Sequence, residues 1–525
     1  MFKYLQSHNL LSVKQSGFTP GDSTINQLLK ICPNIYQTFD QGDEARGVFL
    51  DFSKAFDKVW HKGLLYKLQK MGLNGSILAW ITNYLSGRRQ QVVVHGCASD
   101  IGFTNSGVPQ GSVLGPLLFL VYINDITESL ESDVYIFADD TSIFTRLNKN
   151  SAAATAMLNR DLKRIQSWCE KWYVKVNVTK TTSVLFSRKR QPSYEFPLYL
   201  YGKQIPNVQS HKQLGMILSR SLDWHEHIEF ICSKSLKRIN AWKELQYKIS
   251  RKHMENCLSL FVLPVLDYGD ILYDNCSVMD KTELDDVLLA AARAVTGAKR
   301  CTSHQLLYDE VGWQPLQQRR KAHKLCKFYA IVNGHTPEYL RSLLPQNLNT
   351  SVHNTRGSIN RAFVLYVCRT ECFRKSFFPS TTLLYNDLPP AERNCNSVKQ
   401  FKRNMKKSLK SHVPSYYYEG SRKLNIILSQ MRMQFCDLNF YLHRKGCIDS
   451  AMCNCGESDE TLDHYFFHCR YYMQERFELL DSIQDIVTCV LNYNLMIFGK
   501  IEFDNATNIL IQNCVMKYVN DTGRF

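Results

Sequence analysis

An α+β fold made of several folding units is predicted by three features of the sequence. From residue 1 to about 205, short β-rich runs alternate with helical patterns; from about 206 to 345 the pattern is mainly helical; from about 431 the chain concentrates Cys, His and aromatic residues. At roughly 150 residues per domain, a chain of 525 residues should hold about three or four units. Its 44% apolar and 12% aromatic content can bury large cores, which excludes global disorder.

Taken in order, four runs read as strands: Gly47-Val-Phe-Leu-Asp-Phe52, Gln91-Val-Val-Val-His95 after the turn-prone Ser86-Gly-Arg-Arg89, Val134-Tyr-Ile-Phe137, and Thr182-Ser-Val-Leu-Phe186. Between the last two, Leu158, Leu162, Ile165, Cys169 and Trp172 recur at three- and four-residue spacing, the stripe of an amphipathic helix. Beyond residue 206, Pro264, Gly297 and Pro315 punctuate the helical pattern. Residues 346–430 are polar and basic. Within them Val398, Phe401, Met405 and Leu409 form an apolar helix face opposite Lys399, Lys402, Arg403, Lys406, Lys407 and Lys410. That basic face is either solvated or set against phosphates.

The 64 Lys+Arg exceed the 48 Asp+Glu by 16, which leaves many cations without carboxylate partners and favours a polyanionic or membrane-surface partner. The longest apolar stretch, Val113 to Ile123, is broken by Gly115 and Pro116 and falls short of the ~20 residues that span a bilayer. Residues 1–11 lack a continuous apolar core, so no secretory signal is expected. The 18 cysteines are then read as reduced thiols unless their spacing suits a metal.

Two patterns carry chemistry. Asp51 ends one apolar strand run, and Asp139 and Asp140 lie between two others, at the tip of an expected hairpin. Unpaired carboxylates in such surroundings cost several kcal/mol each, and a pair of divalent cations would offset that cost. Two such ions can also stabilise the attacking and leaving oxygens of an in-line phosphoryl transfer. A lone Asp-Asp pair is otherwise an ordinary polar turn. Here the intervening Asn105-Ser-Gly-Val-Pro-Gln-Gly-Ser112 adds a tight turn, shaped by Gly107, Pro109 and Gly111, whose backbone can approach a ligand; Ser112 is placed to cap a helix starting near Pro116.

The phrases Phe49-Leu-Asp-Phe-Ser-Lys-Ala-Phe-Asp-Lys-Val-Trp-His61, Gly107-Val-Pro-Gln-Gly-Ser112 and Phe137-Ala-Asp-Asp140 resemble, in wording, order and separation, the palm motifs of non-LTR retrotransposon reverse transcriptases of the LINE or jockey-like kind. The resemblance continues through Asn177 and Lys180 and through Leu214-Gly215, which matches the primer grip. It implies a right-hand polymerase: residues 1–47 a fingers remnant, 48–205 the palm, 206–345 a mainly helical thumb or connection, 346–430 a basic linker and 431–525 a zinc-binding region. Asp51, Asp139 and Asp140 would hold two Mg²⁺, with Mn²⁺ as the alternative. Phe56 would be the gate against a ribose 2′-OH or else a core aromatic; Gln110 and Gly111 would meet the incoming nucleotide and template. Lys180 would lie near the leaving pyrophosphate or else be a solvated lysine. RNA template, DNA primer or target and dNTP are the implied partners, with no membrane and an intracellular location, nuclear and cytoplasmic.

The sequence departs from the pattern at Gln15-Ser-Gly-Phe-Thr-Pro-Gly-Asp-Ser-Thr24, where Thr19 stands in place of the family's Arg. The family's fingers also begin well upstream of that point, as does its usual endonuclease, so a truncated chain that only binds nucleic acid is the competing expectation. A zinc-organised interaction protein is the third.

The second pattern is Cys453, Cys455, His464 and Cys469, spaced C-x-C-x8-H-x4-C. Three thiolates and an imidazole suit tetrahedral Zn²⁺, and free thiols are the alternative. The resemblance favours zinc, because these elements carry a C-terminal Cys-Cys-His-Cys cluster. Cys447, His443 and His468 compete as ligands. Tyr465, Phe466 and Phe467 beside them would either stack on bases or fill a small core.

Overall fold

The computed structural model describes residues 1–525 apart from 149, 348–361 and 408–411, and divides into two compact units interleaved along the chain. The first comprises residues 1–227, 271–275 and 324–398; the second comprises 228–270, 276–323 and 399–525. The polar, basic stretch predicted over 346–430 is described only in part, and Leu409 and Lys410 of its expected helix lie outside the described residues. The helix itself spans Val398–Lys407, with Phe401 buried and Lys399, Lys402, Arg403, Lys406 and Lys407 exposed.

The first unit is built on a four-stranded antiparallel sheet. Its strands are β1 (Glu44–Leu50), β2 (Asp133–Phe137), β3 (Asp140–Leu147) and β4 (Thr182–Phe186), in the spatial order β2-β3-β1-β4. Every residue of β1 is buried, Glu44 and Arg46 included, so this central strand does not alternate between core and solvent. Val48 and Leu50 face one core, while Phe49 stacks on His211 at 4.0 Å on the other side. Gly47 is glycine for packing: the rings of Phe144 and Phe186 occupy the space a Cβ would need.

Helices cover the sheet. α1 (Thr24–Asp40) starts where Ser23 accepts the Asn26 N–H, and buries Leu28, Leu29, Ile31, Ile35, Tyr36 and Phe39. α2 (Leu114–Ile123) is the interrupted apolar stretch. Ser112 accepts the Gly115 N–H at 2.9 Å, so the expected cap forms two residues earlier than Pro116 suggests. α3 (Ser151–Lys171) carries the predicted stripe, with Leu158, Leu162, Ile165 and Cys169 all buried.

The run Gln91–His95 differs from its expectation. Only Val93–Val94 is strand, in an exposed ribbon that also contains Arg88–Gln90 paired with Gly102–Thr104. Val92, Val93, Val94, Ile101 and Phe103 remain exposed. β-Branched composition there marks extended backbone without burial.

Short segments flank both edges of the sheet. Along β2, Ile136 donates to Lys14 and accepts from Ser16. Along β4, Ser183 donates to Pro206 and accepts from Val208. The hairpin of β5 (Ser210–Gln213) and β6 (Met216–Ser219) turns at Leu214 and Gly215, both with positive φ, as a two-residue turn requires.

The second unit is helical. α4 (Arg251–Phe261), α5 (Val278–Thr296), α6 (His304–Val311) and α7 (Arg422–Arg432) enclose Glu310, whose carboxylate takes Arg251 at 2.6 Å and Arg432 at 2.7 Å, with Ser429 donating to it at 2.9 Å. Every group in this network is buried, so removing Glu310 would strand the two guanidinium charges at a cost of about 3–5 kcal/mol. Two further helices, α8 (Met473–Gln484) and α9 (Asn505–Asp521), pack with α7 around Met431, Phe435, Tyr465, Phe466 and Met496. No helix among the described residues is long and apolar enough to cross a membrane.

Candidate functional site

The sheet register brings the predicted acids to one end of the first unit. Phe137 pairs with Asp140 across a two-residue turn, and Leu50 pairs with Thr141, so Asp51 leaves β1 beside the start of β3. Asp51 is fixed through its backbone: its N–H donates to Thr181 Oγ1 at 3.4 Å and its carbonyl accepts the Asn177 N–H at 2.7 Å. Asn177 also accepts the N–H groups of Lys180 and Thr181, which folds the exposed Lys180 into a turn against Asp51.

Without a cation, these carboxylates work against one another. Burial raises Asp139 above its ordinary range, and the Asp51 charge adds to the effect while its own backbone N–H partly offsets it. Asp140 reaches solvent on one side, but protein on the other side and the charges of Asp139 and Asp51 push its carboxyl up to about 6. An arrangement of like charges around a partly buried point suits an incoming polycation or metal ion.

The remaining predicted residues gather at the Gly107–Gly111 turn. Phe56 stacks on Phe119 at 4.1 Å and meets Phe18 edge-on, and it is half-buried. Its carbonyl accepts the Val108 N–H at 2.9 Å, tying it to the Gly107–Gly111 turn. Gly107 has φ +90°, and a Cβ would press on the Asp57 backbone, so the close approach demands glycine. Gly111 also has positive φ but faces open space. Gln110 Nε2 donates to Asp57 Oδ1 at 3.0 Å. A cavity of about 740 Å³ opens beside this turn, lined among others by Lys54, Asp57, Arg88, Arg89, Phe103 and Gln110. Arg88, Arg89 and Asp57 lay inside stretches read only as a turn and a motif phrase; their role as cavity walls depends on the ribbon folding back, which no local pattern signals.

Against known proteins, residues 1–231 match the family model described as reverse transcriptase (RNA-dependent DNA polymerase). This region is a reverse transcriptase domain of the non-LTR retrotransposon kind. The chain is 32% identical over 298 residues to the RNA-directed DNA polymerase from mobile element jockey of Drosophila melanogaster, covering 54% of this chain and 32% of that protein. It is 27% identical over 343 residues to the probable RNA-directed DNA polymerase from transposon X-element of the same species, covering 64% and 36%. A Pol polyprotein from the type-1 element R1 2 of Nasonia vitripennis is 24% identical over 402 residues, covering 73% and 89%, so likeness runs beyond the reverse transcriptase domain. The chain thus spans about a third of the length of the first two relatives. Apo telomerase from Candida tropicalis aligns over 65% of this chain and 54% of its own at a TM-score of 0.35 and 12% identity, too weak a likeness to bear on the fold.

Outside the reverse transcriptase domain, the four Cys/His residues come together. The ligand atoms of Cys453, Cys455, His464 and Cys469 all lie within 4.8 Å of one another, and all four residues are buried. Cys453 Sγ is 3.7 Å from Cys469 Sγ, and Cys455 Sγ is 3.3 Å from His464 Nε2. Ser458 Oγ lies 2.7 Å from His464 Nδ1, which leaves Nε2 to face the sulfurs. Burial pushes the Cys453 thiol up to about 12. For Cys455 burial acts the same way, but hydrogen bonds from the Glu457 backbone and the neighbouring thiols bring it below its ordinary value. The competitors lie elsewhere: Cys447 is exposed, and His468 turns outward to Asp463. Tyr465 and Phe466 are fully buried and fill the core under the cluster.

Asp267, Asp270 and His323 form the only other such group among the described residues. Their charges are already matched, since Arg319 grips Asp267 through two N–H groups and His323 Nδ1 lies 2.6 Å from Asp270.

Proposed function

We propose that this protein is an RNA-directed DNA polymerase of a non-LTR retrotransposon, extending a DNA primer by nucleotidyl transfer on an RNA template. The observation that carries the reading is the convergence of Asp51, Asp139 and Asp140 at one end of the reverse transcriptase domain's sheet. These three would hold two Mg²⁺, which when bound stabilise the developing charge on the attacking and leaving oxygens. The primer 3′-hydroxyl forms a bond to the dNTP α-phosphorus, and the bond from that phosphorus to the pyrophosphate oxygen breaks. Phe56, braced by Phe119, presents a ring edge that a 2′-hydroxyl would strike. Gln110, held by Asp57, meets the base pair at the Gly111 turn, and Lys180 offers a cation to the departing pyrophosphate. The basic surplus suits a nucleic-acid duplex, and the role implies an intracellular site of action.

In the second unit, Cys453, Cys455, His464 and Cys469 would bind Zn²⁺; the donor set of three thiols and one imidazole supports that ion. The helical residues 206–345 would serve as thumb and residues 1–47 as fingers.

The polymerase is tested by primer extension on oligo(dT)-primed RNA with Mg²⁺, wild type against Asp139→Ala. Extension by the wild type alone supports the reading, and equal signals from both proteins overturn it.

A further inference from the structure

The reverse transcriptase domain contains a residue that touches neither the expected metals nor the substrate, yet meets the turn that presents one of the acids. Asp139 is the second residue of the β2–β3 turn, and the first, Ala138, has φ +58°. That left-handed conformation is unfavourable for any residue bearing a Cβ, so the turn must be held from outside.

Gln15 supplies the restraint from a position 123 residues away in sequence. Its backbone lies in parallel pairing with Ile136 along the edge of β2. Its side-chain Oε1 accepts the Ala138 N–H at 2.9 Å and the Gly17 N–H at 2.8 Å, and its Nε2 donates to the Ala138 carbonyl at 3.4 Å. One carboxamide therefore binds both polar atoms of Ala138, and with them the two peptide planes on either side of it. The second plane is the one from which Asp139 departs. The amide orientation is decided by the network, because both contacts at Oε1 come from backbone N–H donors. Gly17 completes the fit: a Cβ there would collide with the Ala138 nitrogen, so only glycine lets the Gln15 segment lie this close. Both Gln15 and Ala138 are buried, which shields these bonds from exchange with water.

We infer that Gln15 is a positioning residue that locks the Ala138–Asp139 peptide and so presents the Asp139 carboxylate toward Asp51 for metal binding. This inference rests on the reading of Asp139 as a metal ligand, but its test does not depend on polymerisation. Mn²⁺ binding by the full-length protein, loaded with Zn²⁺, is followed by electron paramagnetic resonance alongside the Mg²⁺ concentration that half-saturates primer extension. Gln15→Met keeps the side chain's length and removes its hydrogen bonds. It should weaken Mn²⁺ binding and raise the Mg²⁺ half-saturation by roughly 10- to 100-fold, as loss of an orienting partner does elsewhere. The dNTP KM should stay within about twofold, since no substrate contact is lost. Gln15→Glu retains an acceptor for both N–H groups but loses the Nε2 donor to the Ala138 carbonyl, so it should leave Mn²⁺ binding weakened as well. A folded Gln15→Met protein with wild-type Mn²⁺ affinity overturns the inference. Should that variant fail to fold, Gln15→Asn, which is one methylene too short to reach Ala138, takes the same measurement under the same criterion. Weakened Mn²⁺ binding in a protein whose wild type extends no primer would uphold the positioning role and count against the polymerase reading alone.

Discussion

The acids at the end of the reverse transcriptase sheet and the Cys/His cluster of the second unit are both proposed to hold metal, yet they are built on opposite principles. The cluster's four donors are buried and mutually close, with Ser458 orienting His464. The three acids are not drawn into such a group; they sit in a partly solvated setting where Asp51 raises the proton affinity of Asp139, and both raise that of Asp140. A closed donor set suits an ion that holds a fold together, whereas an open, repelling set suits ions that come and go with substrate phosphates. Restraint differs accordingly. Around the cysteines the chain folds on itself through short turns, as in Gly456 donating to Cys453 and Cys469 donating to His464, while the acids depend on long-range anchors such as Asn177, Thr181 and Gln15.

The sharpest test of this contrast is to break each region and measure stability. Cys469→Ser should strip the metal and destabilise the second unit on the order of several kcal/mol, read as a fall in its thermal midpoint and reproduced by a strong chelator. An Asp139 variant should leave that midpoint in place. Equal falls for both substitutions would erase the distinction.

A smaller effect probes the preassembly itself. Ser458→Ala removes the hydroxyl from His464 Nδ1, and should lower zinc affinity about 10-fold or more in competition with a chromophoric chelator. Unchanged affinity would mean that the ring is oriented by packing alone.

The smallest effect concerns protons. Asp140 titrates near 6 in the folded chain against an ordinary 3.8, so its charge destabilises the metal-free fold above pH about 6 and not below about 4. Stability of the metal-free protein should therefore fall as pH rises through that window. Asp140→Asn should shrink the fall, leaving the share that Asp139 contributes, and add roughly 1 kcal/mol at pH 8, discounted for solvent screening of a partly exposed group. In the wild type, the Mg²⁺ half-saturation should rise as pH drops through about 6, because protons then compete for the same oxygens.

The elements around the acids are legible in the sequence because the signals are local. The strands Asp133–Phe137 and Thr182–Phe186, the hairpin tip at Asp139, and the stripe from Leu158 to Cys169 each follow from a run or a period within a short window, while the run Gly47–Phe52 finds the central strand but not its bounds, Glu44–Leu50. The four Cys/His residues stand out by residue type, although spacing leaves Cys447 and His468 in contention until burial separates them. What the sequence conceals is made by distant partners. The carboxamide of Gln15 on Ala138, the Arg251–Glu310–Arg432 network, and the cavity wall formed by Arg88 and Arg89 need contacts that no periodicity encodes. The valines near residue 93 mislead for a related reason, since β-propensity describes backbone shape and says nothing of what lies above it.

The segments that flank the sheet have a consequence for how the molecule behaves in company. An open four-stranded sheet offers two rows of unpaired N–H and C=O groups that another chain's strand can join. Here Lys14 and Ser16 occupy the outer side of β2, and Pro206 and Val208 the outer side of β4. The contacts that steady the Ala138–Asp139 turn thus also deny the sheet to strand addition, so loosening the chain near Gln15 would expose an adhesive edge and favour self-association.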